Sequence, residues 1–314
     1  MRLGALLAAV CLVVAGPSRA DEAFVTNQSS DDLSVIDLAS GKTLATIPIG
    51  GRPAGVAVSK DGARVYVTSP EGKALNVVDA AARQVVAKID VGGGPLGVAA
   101  HPSGSLVYVA DWYAHKIHVV DPVARKVTGS IEVGLSPSGL AVTPDGKLLL
   151  SADRDSNEVS IVDVASAKRV AQLRVGDRPF GVTIDAKGER AYTANVATND
   201  VSVIDIAARK VVGSVKVGDR PYAVALAGGR GFVTDQYQEQ VSVFDLSSLK
   251  PVATIPVGEY PEGIEASRDG RFVYVSNWFS NTLSEIDVAT LKVTREMTTG
   301  NGPRSFGSFI RVTP

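Results

Sequence analysis

The residues best suited to catalytic or metal chemistry are the three histidines of the chain, His101, His115 and His118. Histidine acts as a general base and as a metal ligand near neutral pH, and Asp111 stands close to two of the three. His115 and His118, however, are spaced i,i+3, which on a β-strand directs their side chains to opposite faces. The pattern therefore predicts neither a metal site nor a catalytic residue, and it indicates no cofactor.

The signatures of other catalytic classes are missing from the sequence. Its single cysteine, Cys11, lies in an apolar N-terminal segment, and there is no Cys-x-x-Cys-His haem attachment. A P-loop and a dinucleotide fingerprint are also absent. The glycine run 92–94 directly precedes Pro95 and is predicted to be the turn that enters a repeat, not a phosphate-binding loop. The formal net charge of −1 gives no bulk electrostatic support for binding nucleic acid.

Residues 1–20 have the pattern of a secretory signal peptide. Arg2 provides a positive start, residues 3–15 are apolar, and Ser18 and Ala20 place small residues at the −3 and −1 positions of a cleavage site. The apolar run is short for a membrane span. We therefore expect residues 1–20 to be removed and the remainder to be periplasmic or secreted.

The rest of the chain repeats one unit seven times. Two landmarks keep the same phase in every unit: an aspartate that ends an apolar run, and a proline. The aspartates are spaced by 42 residues, with one spacing of 40. The aspartates are Asp37, Asp79, Asp121, Asp163, Asp205, Asp245 and Asp287, and the prolines are Pro53, Pro95, Pro137, Pro179, Pro221, Pro261 and Pro303.

Each unit predicts four short strands. In one unit the runs 54–58, 64–68, 75–79 and 85–91 are rich in alternating and β-branched residues, and turn residues separate them. Four strands in a repeat of this length predict the blade of a β-propeller. The expected fold is therefore all-β: a seven-bladed propeller with four antiparallel strands in each blade.

The two ends of residues 21–314 are predicted to share the last blade. Residues 24–27 match a second strand, and residues 303–310 match a first strand. Together they complete one four-stranded sheet, which closes the ring and removes an unpaired edge. We expect a single domain over residues 21–314, and a monomer.

Several segments resemble the YVTN-family β-propeller repeat, including the YncE-like exported propellers. They are Phe-Val-Thr-Asn at 24–27, Tyr-Val-Thr-Ser at 66–69, Tyr-Thr-Ala-Asn at 192–195 and Tyr-Val-Ser-Asn at 274–277. The resemblance spans the mature chain and implies the propeller fold. For function it implies only a range, from surface-layer-like proteins to propellers encoded near quinoprotein dehydrogenases and, more distantly, haem d1-binding propellers.

Most repeated residues are predicted to be structural. The aspartates should accept backbone N–H groups of the turn that follows them. Small residues two positions after each proline suit the crowded axis of the ring. These small residues are Gly55, Gly97, Gly139, Gly181, Ala223, Gly263 and Ser305.

Information about function should lie where the repeats differ. The residues flanking each proline and the loop after each second strand are expected on one face, where aromatic and arginine side chains suit ligand recognition. The predicted ligand-binding residues are Arg52, Arg178, Phe180, Arg220, Tyr222, Glu262, Arg304, Trp112, Tyr113 and Trp278.

Two alternatives remain open for these residues. The tryptophans could bind a ligand, or could cover loop backbone and seal blade edges. The arginines could hold an anionic group through bidentate bonds, or could pair with local carboxylates such as Asp177, Asp219 and Glu262.

Two functions follow from this pattern. The first is a non-catalytic exported module that binds a periplasmic protein or a small anionic ligand on this face, with no role in binding nucleic acid. The second is a periplasmic enzyme or redox accessory, of the quinoprotein-associated or haem d1 type, that uses the carboxylates of Glu262 and Glu265 near the axis. The sequence favours the first, because few polar groups converge around these carboxylates.

Overall fold

A computed structural model describes residues 21–312, which form a closed ring of seven antiparallel sheets. The seven-bladed propeller predicted from the repeat is confirmed. The predicted signal peptide, residues 1–20, lies outside the described residues. Within residues 21–312, no helix has the length and apolar character needed to cross a bilayer.

The strands follow the repeat closely in the first four blades. In chain order, blade 1 begins with β1 (Glu22–Asn27), β2 (Asp32–Asp37) and β3 (Thr43–Pro48). Blade 2 contains β4 (Gly55–Val58), β5 (Arg64–Ser69), β6 (Ala74–Asp79) and β7 (Gln84–Asp90). Blade 3 contains β8 (Pro95–Ala100), β9 (Val107–Asp111), β10 (Lys116–Asp121) and β11 (Lys126–Glu132). Blade 4 contains β12 (Pro137–Val142), β13 (Leu148–Asp153), β14 (Glu158–Asp163) and β15 (Lys168–Arg174).

The remaining blades have the same order, and two short 3-10 turns, Arg154–Ser156 and Gln236–Gln238, follow second strands. Blade 5 contains β16 (Pro179–Ile184), β17 (Arg190–Asn195), β18 (Asp200–Asp205) and β19 (Lys210–Lys216). Blade 6 contains β20 (Pro221–Ala227), β21 (Arg230–Asp235), β22 (Gln240–Asp245) and β23 (Pro251–Pro256). Blade 7 contains β24 (Pro261–Ala266), β25 (Phe272–Asn277), β26 (Thr282–Asp287) and β27 (Lys292–Thr298), and the chain then forms β28 (Phe306–Ser308) and β29 (Ile310–Arg311).

The ring closes as predicted, but the closing strand is divided. β29 pairs antiparallel with β1 and completes blade 1, whereas β28 lies parallel to β4 on blade 2. Gly307, within β28, has a φ of 129° that favours glycine, and Phe309 alone separates the two strands. The carboxylate of Glu265 accepts the N–H groups of Phe309 and Ile310 at 2.5 and 2.7 Å, which holds the end of the chain against blade 7.

The hydrophobic core lies between neighbouring blades. Both faces of a blade carry apolar side chains, and each face packs against the next sheet. Between blades 6 and 7, for example, Val243, Ile264 and Ile286 are buried together. The outermost strands are largely exposed, so the ring is stabilised mainly by these sheet-to-sheet contacts.

The axis is crowded, as the small residues predict. A Cβ on Gly97 would lie 1.8 Å from the carbonyl oxygen of Ser138 in the next blade, and one on Gly263 would lie 2.2 Å from that of Ser305. Adjacent first strands thus approach too closely for larger side chains. This spacing brings the loops at each end of the ring around a narrow channel.

Recurring polar residues have local structural roles. Asp37 accepts the N–H of Ser40 at 2.6 Å, as predicted for the repeated aspartates. In every blade, the residue ending the second strand also hydrogen-bonds to the residue seven positions later. These pairs are Asn27–Ser34, Ser69–Asn76, Asp111–His118, Asp153–Ser160, Asn195–Ser202, Asp235–Ser242 and Asn277–Ser284.

Candidate functional site

One face of the ring opens into a cavity of about 430 Å³, which we call the upper mouth. Most of its wall comes from two loop positions: the residue after a repeat proline and the residue after a second strand. The lining residues are Trp112, Arg154, Phe180, Val196, Arg220, Tyr222, Gln236, Tyr260, Glu262, Trp278, Phe279 and Arg304.

A recurring hydrogen bond fixes the loops before the prolines: a side-chain oxygen of the preceding blade accepts the N–H of the residue before the proline, a contact that we call the bracket. Arg178 and Arg220 have φ values of 57° and 58°, and their N–H groups donate to the side-chain oxygens of Asn157 and Asn199 at 2.7 and 3.0 Å. Each asparagine is itself in the left-handed region that asparagine tolerates. The bracket therefore gives both arginines the same backbone position in adjacent blades.

In blades 3 and 6, the residue after the second strand lines the upper mouth or borders it, and the next residue is exposed to solvent. Trp112, Gln236 and Trp278 line the upper mouth. Tyr113 and Tyr237, their immediate successors in blades 3 and 6, are 74% and 62% exposed. The same short loop thus supplies one cavity residue and one exposed residue.

The floor of the upper mouth is a layer of packed rings. The ring centroid of Phe180 lies 4.2 Å from that of Tyr222 and 4.8 Å from that of Phe306. The centroid of Trp112 lies 6.3 Å from that of Phe180. All except Trp112 are buried. Phe306 also borders the cavity on the other side, so this layer separates the upper mouth from the lower channel.

A chain of four polar side chains crosses the mouth from blade 6 to blade 1. Arg220 Nε donates to Gln236 Oε1 at 2.8 Å, and Gln236 Nε2 donates to Glu262 Oε1 at 2.9 Å. Glu262 Oε2 then lies 3.0 Å from Arg304 Nε in an ion pair. Arg304 Nη2 donates to the hydroxyl of Tyr222 in the floor. These contacts fix both guanidinium groups before any ligand arrives.

The charges of these four side chains do not cancel, because two guanidinium groups face one carboxyl group. Burial raises the pKa of Glu262, while Arg304 and Arg220 oppose that rise. Arg220 contacts only neutral groups, with Nη1 donating to the hydroxyl of Tyr237 at 2.7 Å, and within residues 21–312 it forms no ion pair. Within residues 21–312, the upper mouth therefore holds one guanidinium group, that of Arg220, that no carboxylate contacts directly.

Arginines also stack on both tryptophans. The guanidinium carbon of Arg154 lies 5.4 Å from the ring centroid of Trp112, and that of Arg304 lies 5.8 Å from the centroid of Trp278. Such cation–π contacts orient both groups. The tryptophans thus support the arginines and at the same time form opposite parts of the cavity wall.

Seven of the ten predicted ligand-binding residues meet in the upper mouth, and three do not. Arg52 is exposed and pairs with Glu71 at 3.4 Å. Arg178 is exposed outside the cavity. Tyr113 packs over the backbone of Gly94, where a Cβ would lie 2.6 Å from its ring. The remaining seven are Trp112, Phe180, Arg220, Tyr222, Glu262, Trp278 and Arg304.

Local pairing of the arginines is realised only in part. Glu262 pairs with Arg304, but the suggested partners Asp177 and Asp219 are engaged elsewhere. Asp177 accepts from Arg174 at 2.9 Å, and Asp219 accepts from Asn199 at 2.9 Å. Neighbouring positions in the chain therefore do not determine the partners of the arginines in blades 5 and 6.

The histidines are engaged in structural contacts. His115 Nδ1 accepts the N–H of Ser136 at 3.0 Å, and so plays the bracket role that asparagine plays in other blades. His118 Nε2 lies 3.1 Å from the carboxylate of Asp111. The residue at the position of His118 is serine or asparagine in the other blades. His101 contacts the carbonyl of Gly146. Within residues 21–312, no three His, Cys, Asp or Glu side chains are arranged to hold a metal.

The lower channel, a cavity of about 450 Å³ on the other side of the aromatic floor, is lined mainly by small residues of the first strands. Glu265 is the one charged side chain among its described lining residues, and burial raises its pKa to about 8. Its carboxylate accepts the N–H groups of Phe309 and Ile310. Glu265 therefore holds the closing segment of the chain.

Five lining residues were not among the predicted ligand-binding residues. The positional rule finds three of them, because Arg154, Val196 and Gln236 directly follow second strands. One of the five, Gln236, links Arg220 to Glu262 by hydrogen bonds, and no spacing in the sequence predicts that link. They are Arg154, Val196, Gln236, Tyr260 and Phe279.

Solved structures similar to this chain are propellers of low sequence identity. Hydrazine synthase of Kuenenia stuttgartiensis is 22% identical with a TM-score of 0.77, over 90% of this chain and 99% of that one. A functionally unknown protein of Desulfotomaculum acetoxidans is 17% identical with a TM-score of 0.77, over 91% and 99%. The dihydro-heme d1 dehydrogenase NirN, solved in complex with DHE, is 16% identical with a TM-score of 0.68, over 93% and 77%. At these identities the likeness shows the fold alone.

A family model gives the sharper relationship. No curated protein matches the chain significantly. The model described as YNCE-like beta-propeller matches residues 13–103 and 225–310, more than half of the sequence. The resemblance seen in the repeat segments is thereby confirmed. The chain belongs to the YNCE-like β-propeller family.

Proposed function

We propose that this protein is an exported, non-catalytic binding module that takes a small anionic ligand in the upper mouth. The observation that carries the proposal is Arg220, which lines the cavity and whose guanidinium group, within residues 21–312, donates to the neutral side chains of Gln236 and Tyr237 and forms no ion pair. A fixed guanidinium group of this kind suits a carboxylate or phosphate, which it can bind through two parallel hydrogen bonds.

The carboxylates of the enzymatic alternative are already in use. Glu262 is bound by Gln236 and Arg304, and Glu265 by two backbone N–H groups of the closing segment. An acid–base role would require either carboxylate to leave these partners. The names of hydrazine synthase and NirN describe those proteins, and fold likeness carries no activity to this chain.

Arg178 provides a matched control for testing the role of Arg220. Both arginines precede a proline, share the left-handed backbone and are bracketed by asparagine, but only Arg220 lines the cavity. Calorimetric titration with small organic carboxylates and phosphates should show anion binding that Arg220→Gln weakens about tenfold or more. Arg178→Gln should leave it unchanged. Equal effects of the two substitutions would contradict the proposal.

A protein partner is the second candidate, favoured by exposed rings around the mouth. Tyr113, Tyr237 and Phe279 occupy the same loop position in three blades, and Phe279 is 61% exposed. Aromatic side chains are enriched where proteins meet. A specific partner, identified by mass spectrometry after capture from periplasmic extract, should be lost when all three become serine. Val123→Ser, at an exposed apolar site on another loop, is the control, and partner retention by the triple variant would exclude this candidate.

Export is part of the proposal and rests on the pattern of residues 1–20. Expression of the full chain in a bacterium should yield a periplasmic or secreted form that begins at Asp21. N-terminal sequencing of the fractionated protein tests this directly. An uncleaved form that remains in the cytoplasm would contradict export but would leave the cavity unaffected.

A further inference from the structure

We infer that the ligand of the upper mouth is a small flat aromatic acid, whose rings lie against the aromatic wall and whose carboxylate or phosphate reaches Arg220. This inference rests on the proposed function and narrows its ligand from anions in general to one chemical class.

The upper mouth concentrates aromatic residues far beyond their frequency in the chain. The sequence contains eight phenylalanines, eight tyrosines and two tryptophans in 314 residues. Both tryptophans, two tyrosines and two phenylalanines are among the twelve residues that line this one cavity. A cavity that needed only charge to bind its ligand would have no use for this composition.

The fold does not require large rings at the tryptophan positions. Trp112 and Trp278 directly follow second strands, and the corresponding residues of the other five blades are Gln28, Pro70, Arg154, Val196 and Gln236. These blades form sheets of four or five strands with no aromatic ring there. The tryptophans are therefore additions to the blade, placed where a ligand would meet them.

Several rings have surface to offer a ligand. Phe180 and Tyr222 are buried in the floor, so they serve the packing of the channel. Tyr260 and Trp278 are half-buried, and Phe279 is exposed. The rings of Tyr260 and Phe279 meet edge to face with their centroids 5.2 Å apart, and a flat ring of a ligand can pack against either of them.

The charged end of the ligand is set by Arg220. Its guanidinium group stacks on the ring of Tyr237 with 4.8 Å between the guanidinium carbon and the ring centroid, and that ring lies 6.0 Å from the ring of Tyr260. The hydrogen bonds to Gln236 and Tyr237 use two of the five N–H donors of the group. The free N–H donors of Arg220 thus lie beside the rings of Tyr237 and Tyr260. One ligand can therefore bind the guanidinium group with its acidic group and contact the aromatic rings with its own ring.

The size of the cavity agrees with this class. A volume of about 430 Å³ falls at the lower end of the range for small-molecule sites. It is much larger than a single sulfate requires, and the aromatic floor beneath it prevents a polymer from threading through the ring. A compound of roughly one to three rings matches this space.

Four probes separate the ring from the charge. Naphthalene-2-carboxylate carries both, naphthalene-2-carboxamide only the ring, decahydronaphthalene-2-carboxylate only the charge, and sulfate is an anion without a hydrocarbon part. Dissociation constants from calorimetry can be compared with NMR shifts of the two indole N–H groups. Because the only tryptophans are Trp112 and Trp278, both signals report on the upper mouth.

The aromatic acid should bind at least about tenfold more tightly than each of the other probes, and should shift both indole signals. Arg220→Gln should abolish its advantage over the carboxamide. Trp278→Val, or Trp112→Val if the first does not fold, should abolish its advantage over the decahydro acid, since valine occupies the same position at Val196. Arg178→Gln should preserve both advantages.

Each other outcome has a distinct meaning. If the decahydro acid or sulfate binds as tightly as the aromatic acid, the aromatic inference fails and the anion proposal stands. If the carboxamide binds as tightly, the inference of a charged ligand fails together with the role of Arg220. If no anion binds, the proposed function itself fails.

Discussion

Glu262 and Arg304 occupy the same position in consecutive repeats, 42 residues apart, and form a 3.0 Å ion pair across the upper mouth. The other five blades have no charge at this position. Their residues are Ala54, Leu96, Ser138, Phe180 and Tyr222. The pair therefore places a carboxylate inside a cavity that otherwise presents only positive charge, and Glu262 becomes the internal competitor of an anionic ligand.

Glu262→Gln should strengthen anion binding. The substitution removes the negative charge but retains an oxygen that can accept from Arg304. Because burial raises the pKa of Glu262, wild-type affinity should increase as the pH falls through that pKa, where the carboxylate becomes neutral. At a pH where the wild-type Glu262 is ionised, we expect the variant to bind naphthalene-2-carboxylate about tenfold more tightly. The affinity of the Glu262→Gln variant should not increase as the pH falls, because glutamine takes up no proton.

Titrations of both proteins toward lower pH, ending above the pKa of the aromatic acid, measure this. The other polar side chains that contact or approach Glu262 are those of Arg304, Arg220 and Gln236, and none of them is a carboxyl or an imidazole. Affinity that varies equally with pH in both proteins would show that Glu262 does not control binding.

A second ion pair, Glu285–Arg295, lies within blade 7 and is partly buried, and its arginine also reaches blade 1. Arg295 contacts the Glu285 carboxylate and the carbonyls of Leu38 and Ala39. Removing one partner of such a pair leaves an uncompensated charge. Arg295→Ala should therefore lower the free energy of unfolding by about 3 kcal/mol, measured by denaturant titration.

The other blades supply the control for this prediction. The residues corresponding to Glu285 and Arg295 in blade 5 are Val203 and Gly213, paired across the same two strands. A double variant, Glu285→Val with Arg295→Ala, should recover most of the lost stability because no charge is left unpaired. A double variant as unstable as Arg295→Ala would mean that the carbonyl contacts of Arg295, rather than the buried charge, set the cost.

Asp153→Asn should stabilise the protein at neutral pH. Burial raises the pKa of Asp153 to about 6, although hydrogen bonds from Ser151 and Ser160 oppose the rise. The folded state therefore holds a proton that the unfolded state releases near pH 4. Stability from this group is complete below about pH 4 and is lost as the pH rises through about 6, a change of about 3 kcal/mol.

Denaturant titrations at about pH 4 and about pH 7.5 should show the gain only at the higher pH. Asparagine fits the network, since Asn195 donates to Ser202 at 2.9 Å in blade 5. The control is Asp163→Asn: a hydrogen bond from Ser166 lowers the pKa of this exposed carboxyl, so its loss should not stabilise at neutral pH. A gain of equal size at both pH values would contradict the titration account.

Gly97→Ala should destabilise the ring strongly, whereas Gly129→Ala should not. The new Cβ at Gly97 would lie 1.8 Å from the carbonyl oxygen of Ser138, so blades 3 and 4 must separate at the axis. Overpacking of this kind costs about 1–3 kcal/mol or more. Gly129, on an outer strand, has open space around its Cβ position, and its substitution should change stability by less than about 0.5 kcal/mol. Equal thermal midpoints for the two variants would contradict the crowding of the axis.

The seven-bladed ring could be predicted from the sequence because its determinants are local and repeated. A turn aspartate such as Asp37 bonds to Ser40 three residues away, and that spacing is visible in the chain. The alternating strands fix four antiparallel neighbours per unit, and the number of in-phase landmarks equals the number of blades. The division of the closing strand after Ser308 escaped prediction because it depends on how Phe306 packs in the channel.

The composition of the upper mouth was decided only by the tertiary structure. Arg178 and Arg220 both precede a repeat proline, yet one is exposed and the other faces the cavity among neutral partners. Arg304 follows a repeat proline and is paired with Glu262. Their partners come from other blades or from the next loop, as Gln236 does for Arg220. Sequence spacing sets where a residue lies in its own blade, whereas contact across the channel depends on side chains brought together only when the ring closes.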